Sequence, residues 1–137
     1  KGDDGNLVLA LPLGGAPLPG IAAGDIGACA YGLFRRGTSA VGERAGVAGE
    51  MLTGAEMAAA FTRRLGRPVS FYDMPFDVYR GLGFPGAEDL GNMFQFHALL
   101  GEEFLRFRSP ATARALHPKV LSFDAWLAAN AERIPIG

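Results

Sequence analysis

Short apolar runs alternate with amphipathic stretches along the first half of the chain. Residues 6–13 form an almost continuous apolar run, residues 46–50 are mostly small and include Val47 and Ala48, and residues 68–74 alternate apolar with polar side chains. Each segment is typical of a β-strand, and Pro12 indicates a strand end or an edge position. Two amphipathic helical stretches separate these strands. The order strand, helix, strand, helix, strand predicts an α/β fold with a parallel arrangement of strands.

The two separating helices have recognisable ends in the sequence. Asp25 is predicted as the N-cap of the first helix, with a carboxylate that lines a cleft as the alternative, and Gly37 is its stop signal. The second helix begins with the capping-box spacing of Thr53 and Glu56 and is expected to stop at Gly66.

A G-x-G-x-x-G spacing occurs at Gly81, Gly83 and Gly86. In a dinucleotide-binding loop this spacing follows a buried strand, opens a helix, and precedes an acidic residue roughly 20 positions further on. Here the preceding residues 76–80 mix polar and aromatic side chains and indicate a helical turn. We therefore predict a kink between two helical pieces at this spacing.

The helix after this kink carries an apolar stripe formed by Leu90, Met93, Phe94, His97 and Leu100. Phe96 lies off the stripe, so the helix is expected either to pack on two neighbours or to border a pocket. Gly101 is its predicted end. His97 is interpreted as a packed or partner-facing histidine, with a catalytic base as the alternative.

The last third of the chain carries weaker signals. Residues 105–108 are predicted as an edge strand or a loop, and residues 130–137 as a poorly ordered tail. Between them, Ser122 caps a helix whose Phe123, Trp126 and Leu127 are expected to dock on the rest of the protein. If the Trp126 side chain is buried, Trp126→Ala should cost roughly 3–5 kcal/mol.

Composition excludes several classes of protein. Thirteen basic and fourteen acidic residues among 137 leave a net charge of −1, which provides no basic surface for direct nucleic-acid binding. No apolar run is long enough for a membrane span, and the two histidines and single cysteine form no metal-ligand pattern. The lone Cys29 indicates a reducing compartment, so the cytoplasm is the expected location. The chain starts without Met at Lys1 and resembles the interior of a longer protein.

Several segments together resemble the NmrA-like family, atypical members of the short-chain dehydrogenase/reductase superfamily. The matching residues are Leu11-Pro12, Ile21, Asp25-Ile26-Gly27, Ala48-Gly49-Glu50, Leu52-Thr53, Leu82-Gly83-Phe84-Pro85-Gly86-Ala87, Asp89-Leu90, Asn92-Met93-Phe94, Phe96, Pro118-Lys119, Leu121, Phe123-Asp124 and Trp126-Leu127. The block from Leu82 to Phe96 is the most specific of them.

The resemblance implies the C-terminal half of a Rossmann-type fold, with the last parallel strands and helices and a small, mostly helical subdomain. It implies binding of NADP(H) or NAD(H), mainly by an N-terminal half that carries the family's glycine motif and is not in this sequence. The superfamily's Tyr-x-x-x-Lys motif is absent: Tyr31, Tyr72 and Tyr79 are not followed by lysine at that spacing. Residues 1–137 are therefore expected to contribute no cofactor-binding residue, and the catalytic residues stay unknown.

Three functions follow as alternatives from this resemblance. The first is a redox- or cofactor-sensing regulator that binds the dinucleotide and a regulatory protein partner, with a homodimer left open. The second is an NAD(P)H-dependent oxidoreductase that reduces a small carbonyl or quinone-like substrate. Its substrate-pocket candidates are Phe84, Met93, Phe94 and Phe96, for which plain core packing is the alternative. The third is an isolated module without a cofactor.

Overall fold

The computed structural model describes Gly2 and residues 5–136, so Lys1, Asp3, Asp4 and Gly137 lie outside the described residues. The chain divides into two compact units. The first unit contains the residues up to Leu18 together with Leu52–Phe104. The second contains Pro19–Met51 together with the residues from Leu105 onward.

Strands and helices alternate along the described residues. The strands are β1 (Leu7–Leu11), β2 (Leu18–Gly20), β3 (Glu50–Leu52) and β4 (Val69–Asp73). The helices are α1 (Ala23–Phe34), α2 (Gly54–Leu65), α3 (Phe76–Arg80), α4 (Ala87–Arg106), α5 (Pro110–Leu116) and α6 (Phe123–Asn130). Short 3₁₀ turns lie at Gly37–Ala40 and Ala131–Arg133. None of the helices in this described part is both long and apolar enough to cross a bilayer.

A parallel pair of strands is the centre of the first unit. Strands β1 and β4 pair from Leu7 opposite Val69 to Leu11 opposite Asp73, so both strands end at the same edge. Helix α2 leads directly into β4 and packs against it. The contact is close, because a Cβ atom added at Gly54 would lie 2.2 Å from the Phe71 ring.

The ends of α2 follow the local sequence signals. The Thr53 hydroxyl accepts a hydrogen bond from the Glu56 amide at 3.2 Å, and the Glu56 carboxylate accepts one from the Thr53 amide at 2.8 Å. At the other end, Gly66 adopts the left-handed conformation with φ 67°. The predicted capping box and helix stop are both confirmed.

The second unit has a small helical core. Buried Cys29, Ala113 and Leu116 bring α1 and α5 together, and partly buried apolar residues surround them: Ile21, Leu33, Val47 and Val120. Glycine permits the close approach, because a Cβ atom at Gly32 would lie 2.2 Å from the carbonyl oxygen of Leu116.

One strand prediction is wrong in detail and another holds in part. The strand expected at residues 46–50 forms at Glu50–Leu52, where it pairs with β2. Of residues 105–108, expected to form an edge strand or a loop, the first two end α4 and the last two lie in a turn and loop. Strand pairing depends on residues distant in the sequence, so the apolar pattern alone did not determine it.

The helix that follows the kink breaks at Gly101, as predicted. Gly101 has a non-helical φ of 48° and ψ of −124°, and a second helical piece continues from there to Arg106 within α4. Helix α5 was not predicted, although it has local signals: Pro110 in its first turn and the Ser109 hydroxyl, which accepts a hydrogen bond from the Thr112 amide at 3.1 Å. The expected irregular tail contains a 3₁₀ turn at Ala131–Arg133.

Candidate functional site

A cluster of hydrogen bonds joins the carboxyl ends of β1 and β4 in the first unit. The Asp73 carboxylate, at the end of β4, accepts hydrogen bonds from three consecutive backbone amides that follow β1. The donors are Leu13 and Gly14 to Oδ1, both at 2.9 Å, and Gly15 to Oδ2 at 2.7 Å. In open α/β sheets, ligands bind at the carboxyl ends of the strands. Asp73 therefore shapes the edge where a ligand would be expected.

A second feature is the segment between α3 and α4, which contains the G-x-G-x-x-G spacing. Helix α3 ends at Arg80 and α4 begins at Ala87, so a helix and not a strand precedes Gly81. Gly83 and Gly86 adopt positive φ values of 74° and 89°. The predicted kink between two helical pieces is confirmed, and the segment lacks the preceding strand that a dinucleotide loop requires.

This kink borders an open cavity of about 560 Å³. Its lining residues are Arg80, Gly83, Phe84, Gly86, Ala87, Glu88, Asp89 and Asn92. One basic and two acidic side chains therefore face the same opening, beside the first turns of α4.

The Arg80 guanidinium is held in place by three side chains. It donates hydrogen bonds to Gln95 Oε1 at 2.8 Å and Asn92 Oδ1 at 3.2 Å, and it forms an ion pair with Asp77. Its aliphatic stem crosses Gly91 so closely that a Cβ atom there would lie 2.5 Å from Cγ. Arg80 therefore ties α3 to α4 and fixes one wall of the cavity. The sequence carries no local signal for this network, because its members are up to 18 positions apart.

The four predicted pocket residues have different surroundings. Tyr79 makes edge-to-face contacts with Phe84 and Phe94, each with ring centroids 5.7 Å apart, so these two phenylalanines belong to one aromatic group. Phe96 instead contacts Phe104. Only Phe84 lines the cavity, whereas Phe94 is 8% exposed and belongs to the core.

Exposure also divides these candidates. Phe84 and Met93 are 38% and 37% exposed, and Phe96 is 55% exposed. His97 stacks on Phe104 with ring centroids 3.9 Å apart, which agrees with its interpretation as a packed residue. The helix thus has apolar side chains on more than one side, as its sequence predicts.

The second unit contains a buried carboxylate, Asp25. The N-cap of α1 is Ala22, so the prediction of Asp25 as the N-cap is wrong. Asp25 lies in the first helical turn, 8% exposed, and its Oδ2 accepts a hydrogen bond from the Leu121 amide at 2.8 Å. Its Oδ1 lies 3.4 Å from His117 Nε2. Asp25 connects α1 to the segment between α5 and α6.

The single cysteine is shielded in the same unit. Cys29 is 2% exposed, and its thiol lies 3.7 Å from the carbonyl oxygen of Ala113. Burial, with a smaller contribution from the Asp25 charge, raises the pKa of the Cys29 thiol. A raised pKa lowers the thiolate fraction at neutral pH, so Cys29 is a poor nucleophile. Among the described residues, no group of three or more His, Cys, Asp or Glu side chains is arranged to hold a metal ion.

Parallel strands, flanking helices and a helical second unit place the chain in the Rossmann-like α/β class. The sequence profile of the NmrA-like family matches residues 1–127. The chain belongs to the NmrA-like family.

Solved structures of NmrA, a negative transcriptional regulator, share this fold. A monoclinic crystal structure superposes with a TM-score of 0.67 at 19% sequence identity, covering 97% of this chain and 47% of that chain. A complex of NmrA with NADP has a TM-score of 0.65 at 18% identity, covering 98% of this chain and 48% of that chain. A complex with NAD has a TM-score of 0.64 at 18% identity, covering 97% of this chain and 47% of that chain. The chain therefore spans about half the length of these structures.

Proposed function

We propose that this chain is the C-terminal half of a cytoplasmic dinucleotide-binding regulator that responds to the redox state of NADP(H) or NAD(H). One observation carries the proposal: β1 and β4 form a parallel sheet of only two strands within the described part of the chain. Strand β1 is apolar throughout, yet each of its residues is only half-buried. Parallel strands of this composition are normally buried on both faces in a larger sheet. A preceding Rossmann half would supply the neighbouring strands.

Two glycine-rich segments among the described residues lack the geometry that binds the pyrophosphate of a dinucleotide. The segment from Gly81 to Gly86 follows a helix, and the amides of Leu13, Gly14 and Gly15 point to Asp73. A phosphate loop needs free amides after a buried strand. These contacts support a proposal in which a preceding Rossmann half binds the phosphates. The present chain would then form the wall of the cleft and a subdomain that faces a partner protein. NmrA structures with NADP and with NAD support dinucleotide binding by relatives of this fold.

Redox sensing in this proposal goes through the dinucleotide and not through a thiol. The chain has one cysteine, which excludes a disulfide within it, and Cys29 is buried with a raised pKa. A sensor of this kind works by population shift: one redox form of the dinucleotide binds one arrangement of the protein more tightly than the other form does. The near-neutral charge of the chain argues against nucleic acid as a direct partner, so the partner proposed is a regulatory protein.

The second function is an NAD(P)H-dependent reductase of a small carbonyl or quinone-like compound. It is favoured by the apolar surface that Phe84, Met93 and Phe96 leave accessible, since small-molecule pockets are lined mainly by apolar and aromatic side chains. Phe94 would support such a wall from behind through Tyr79.

One experiment separates these functions. The full polypeptide is titrated with NADPH and NADP⁺ by calorimetry, and NADPH consumption is then followed with a panel of carbonyl and quinone compounds. Binding of both forms with different affinities and no consumption supports the regulator, whereas steady consumption with any substrate supports the reductase. If neither form binds, both proposals fail. The mass of the protein in solution, measured with each form, shows whether a homodimer takes part.

A further inference from the structure

The loop after β1 has the geometry of an anion-binding nest. Three consecutive amides, of Leu13, Gly14 and Gly15, converge on one carboxylate with donor–acceptor distances of 2.7–2.9 Å. Both glycines have positive φ values, 58° and 77°, which is the conformation that turns successive amides toward a common point. The anion in this nest is Asp73, from a strand about 60 residues further along the chain.

The nest is also held from its other side. A Cβ atom added at Gly14 would lie 2.9 Å from the Phe76 ring and 3.2 Å from the Ala98 side chain, so the loop is packed closely there. The Ala16 amide donates to the Leu13 carbonyl at 3.0 Å and closes the turn. The amides are therefore presented in one fixed arrangement, from which a single anion can accept all three hydrogen bonds.

We propose that Asp73 is a built-in anion that fills this nest, fixes the loop at the carboxyl edge of the sheet, and excludes phosphate from it. This inference rests on the proposed dinucleotide-dependent function, in which Asp73 is a positioning residue of the cleft. Because the nest is filled and the group that fills it is a carboxylate, the part of a ligand that lies at this edge is uncharged or positively charged.

The first test removes the carboxylate and supplies a small anion in its place. Asp73→Ala should lower the melting midpoint of the full protein by roughly 5 °C, since three charge-assisted hydrogen bonds are lost at a partly solvated site. Formate and inorganic phosphate should each restore a saturable part of this loss, whereas chloride at equal ionic strength should not. The wild type should show no such specific gain, because Asp73 occupies the nest.

A matched control is Glu103→Ala in the same unit. Glu103 is also an exposed carboxylate, on the surface of α4 and not in the loop after β1. Its removal should change the melting midpoint little, and formate should give no saturable gain. An equal gain from formate in both variants would overturn the nest.

A second variant covers the case in which Asp73→Ala does not fold. Asp73→Asn keeps one acceptor oxygen and loses the charge, so the loop is loosened without being emptied. Amide hydrogen exchange at Gly14 and Gly15 should become at least about tenfold faster, with exchange inside α2 unchanged. Unchanged exchange at both glycines would contradict the role of Asp73.

A measurement of NADPH binding separates this inference from the proposed function. If the wild type binds NADPH, Asp73→Ala should bind it more weakly, and formate should restore part of the affinity. Full affinity in Asp73→Ala would show that the carboxylate does not position the cleft. If the wild type binds no dinucleotide, the proposed function fails, while the melting and exchange measurements still decide whether Asp73 fills the nest.

Discussion

Replacing Leu127 by alanine is expected to destabilise the second unit by about 3–5 kcal/mol. Leu127, in α6, is 0% exposed and is one of the two largest fully buried side chains of the described residues. The substitution deletes three buried carbon atoms. At about 0.8 kcal/mol for each, transfer accounts for about 2.4 kcal/mol, and the cavity left behind adds the rest.

The matched variant is Trp126→Ala, one residue earlier in the same helix. Trp126 is only partly buried, and its ring stacks on Phe123 with the ring planes 4° apart. The loss of about 3–5 kcal/mol expected from the sequence assumed a buried tryptophan, so it does not apply. Trp126→Ala should lower the free energy of unfolding by about 1–2 kcal/mol, through the loss of one aromatic pair and of partial burial.

Both variants are compared by urea denaturation followed by far-UV circular dichroism, because Trp126 is the only tryptophan and its fluorescence is lost in one of them. In the wild type and Leu127→Ala, the same tryptophan reports directly on α6. A larger loss for Trp126→Ala than for Leu127→Ala would refute this account of how α6 is anchored. So would a Leu127→Ala variant with an unchanged midpoint.

Three further predictions concern local chemistry. Gly54→Ala should lower the free energy of unfolding by about 1–3 kcal/mol, measured by urea denaturation, because the new Cβ atom would lie 2.2 Å from the Phe71 ring. The control Gly24→Ala adds a Cβ atom with no neighbour within 4 Å, so it should be neutral or stabilising. Hydrogen bonds from Thr53 lower the pKa of Glu56, so the ionised Glu56 side chain stabilises the folded protein above the ordinary glutamate pKa. This stabilisation is lost as pH falls through the lowered pKa. The difference in melting midpoint between wild type and Glu56→Gln should therefore vanish in acid, and a difference that persists in acid would contradict this role of the ionised carboxylate. Cys29 should react with Ellman's reagent only as fast as the protein opens, and rapid labelling of the native state would contradict its burial.

Features that depend on near neighbours were predictable from the sequence. The capping box joins residues three apart, and the left-handed stop at Gly66 needs only a glycine after an amphipathic run. The kink at Gly81 could be inferred because the residues before it have helical and not strand character. In each case the physical cause lies within one or two turns of chain.

Parts of the candidate site could be predicted only in outline. An unusually apolar helix after the kink was expected, and α4 has that character. The grouping of the aromatic residues could not be predicted. Phe84 and Phe94 both contact Tyr79, whereas Phe96, two residues from Phe94, contacts Phe104. Side chains two apart on a helix face different directions, and their partners come from other segments.

Sequence by itself determined the class of fold, most helices and the family resemblance, because periodicity and capping are local. Tertiary structure alone decided that β3 pairs with β2, that Asp25 binds the Leu121 amide 96 residues away, and that Asp73 fills the loop after β1. Nothing in the sequence around an aspartate at a strand end indicates which backbone amides will donate hydrogen bonds to its carboxylate. Those amides converge only when β1 and β4 pair in register, and that pairing turns Gly14 and Gly15 into a site for one carboxylate.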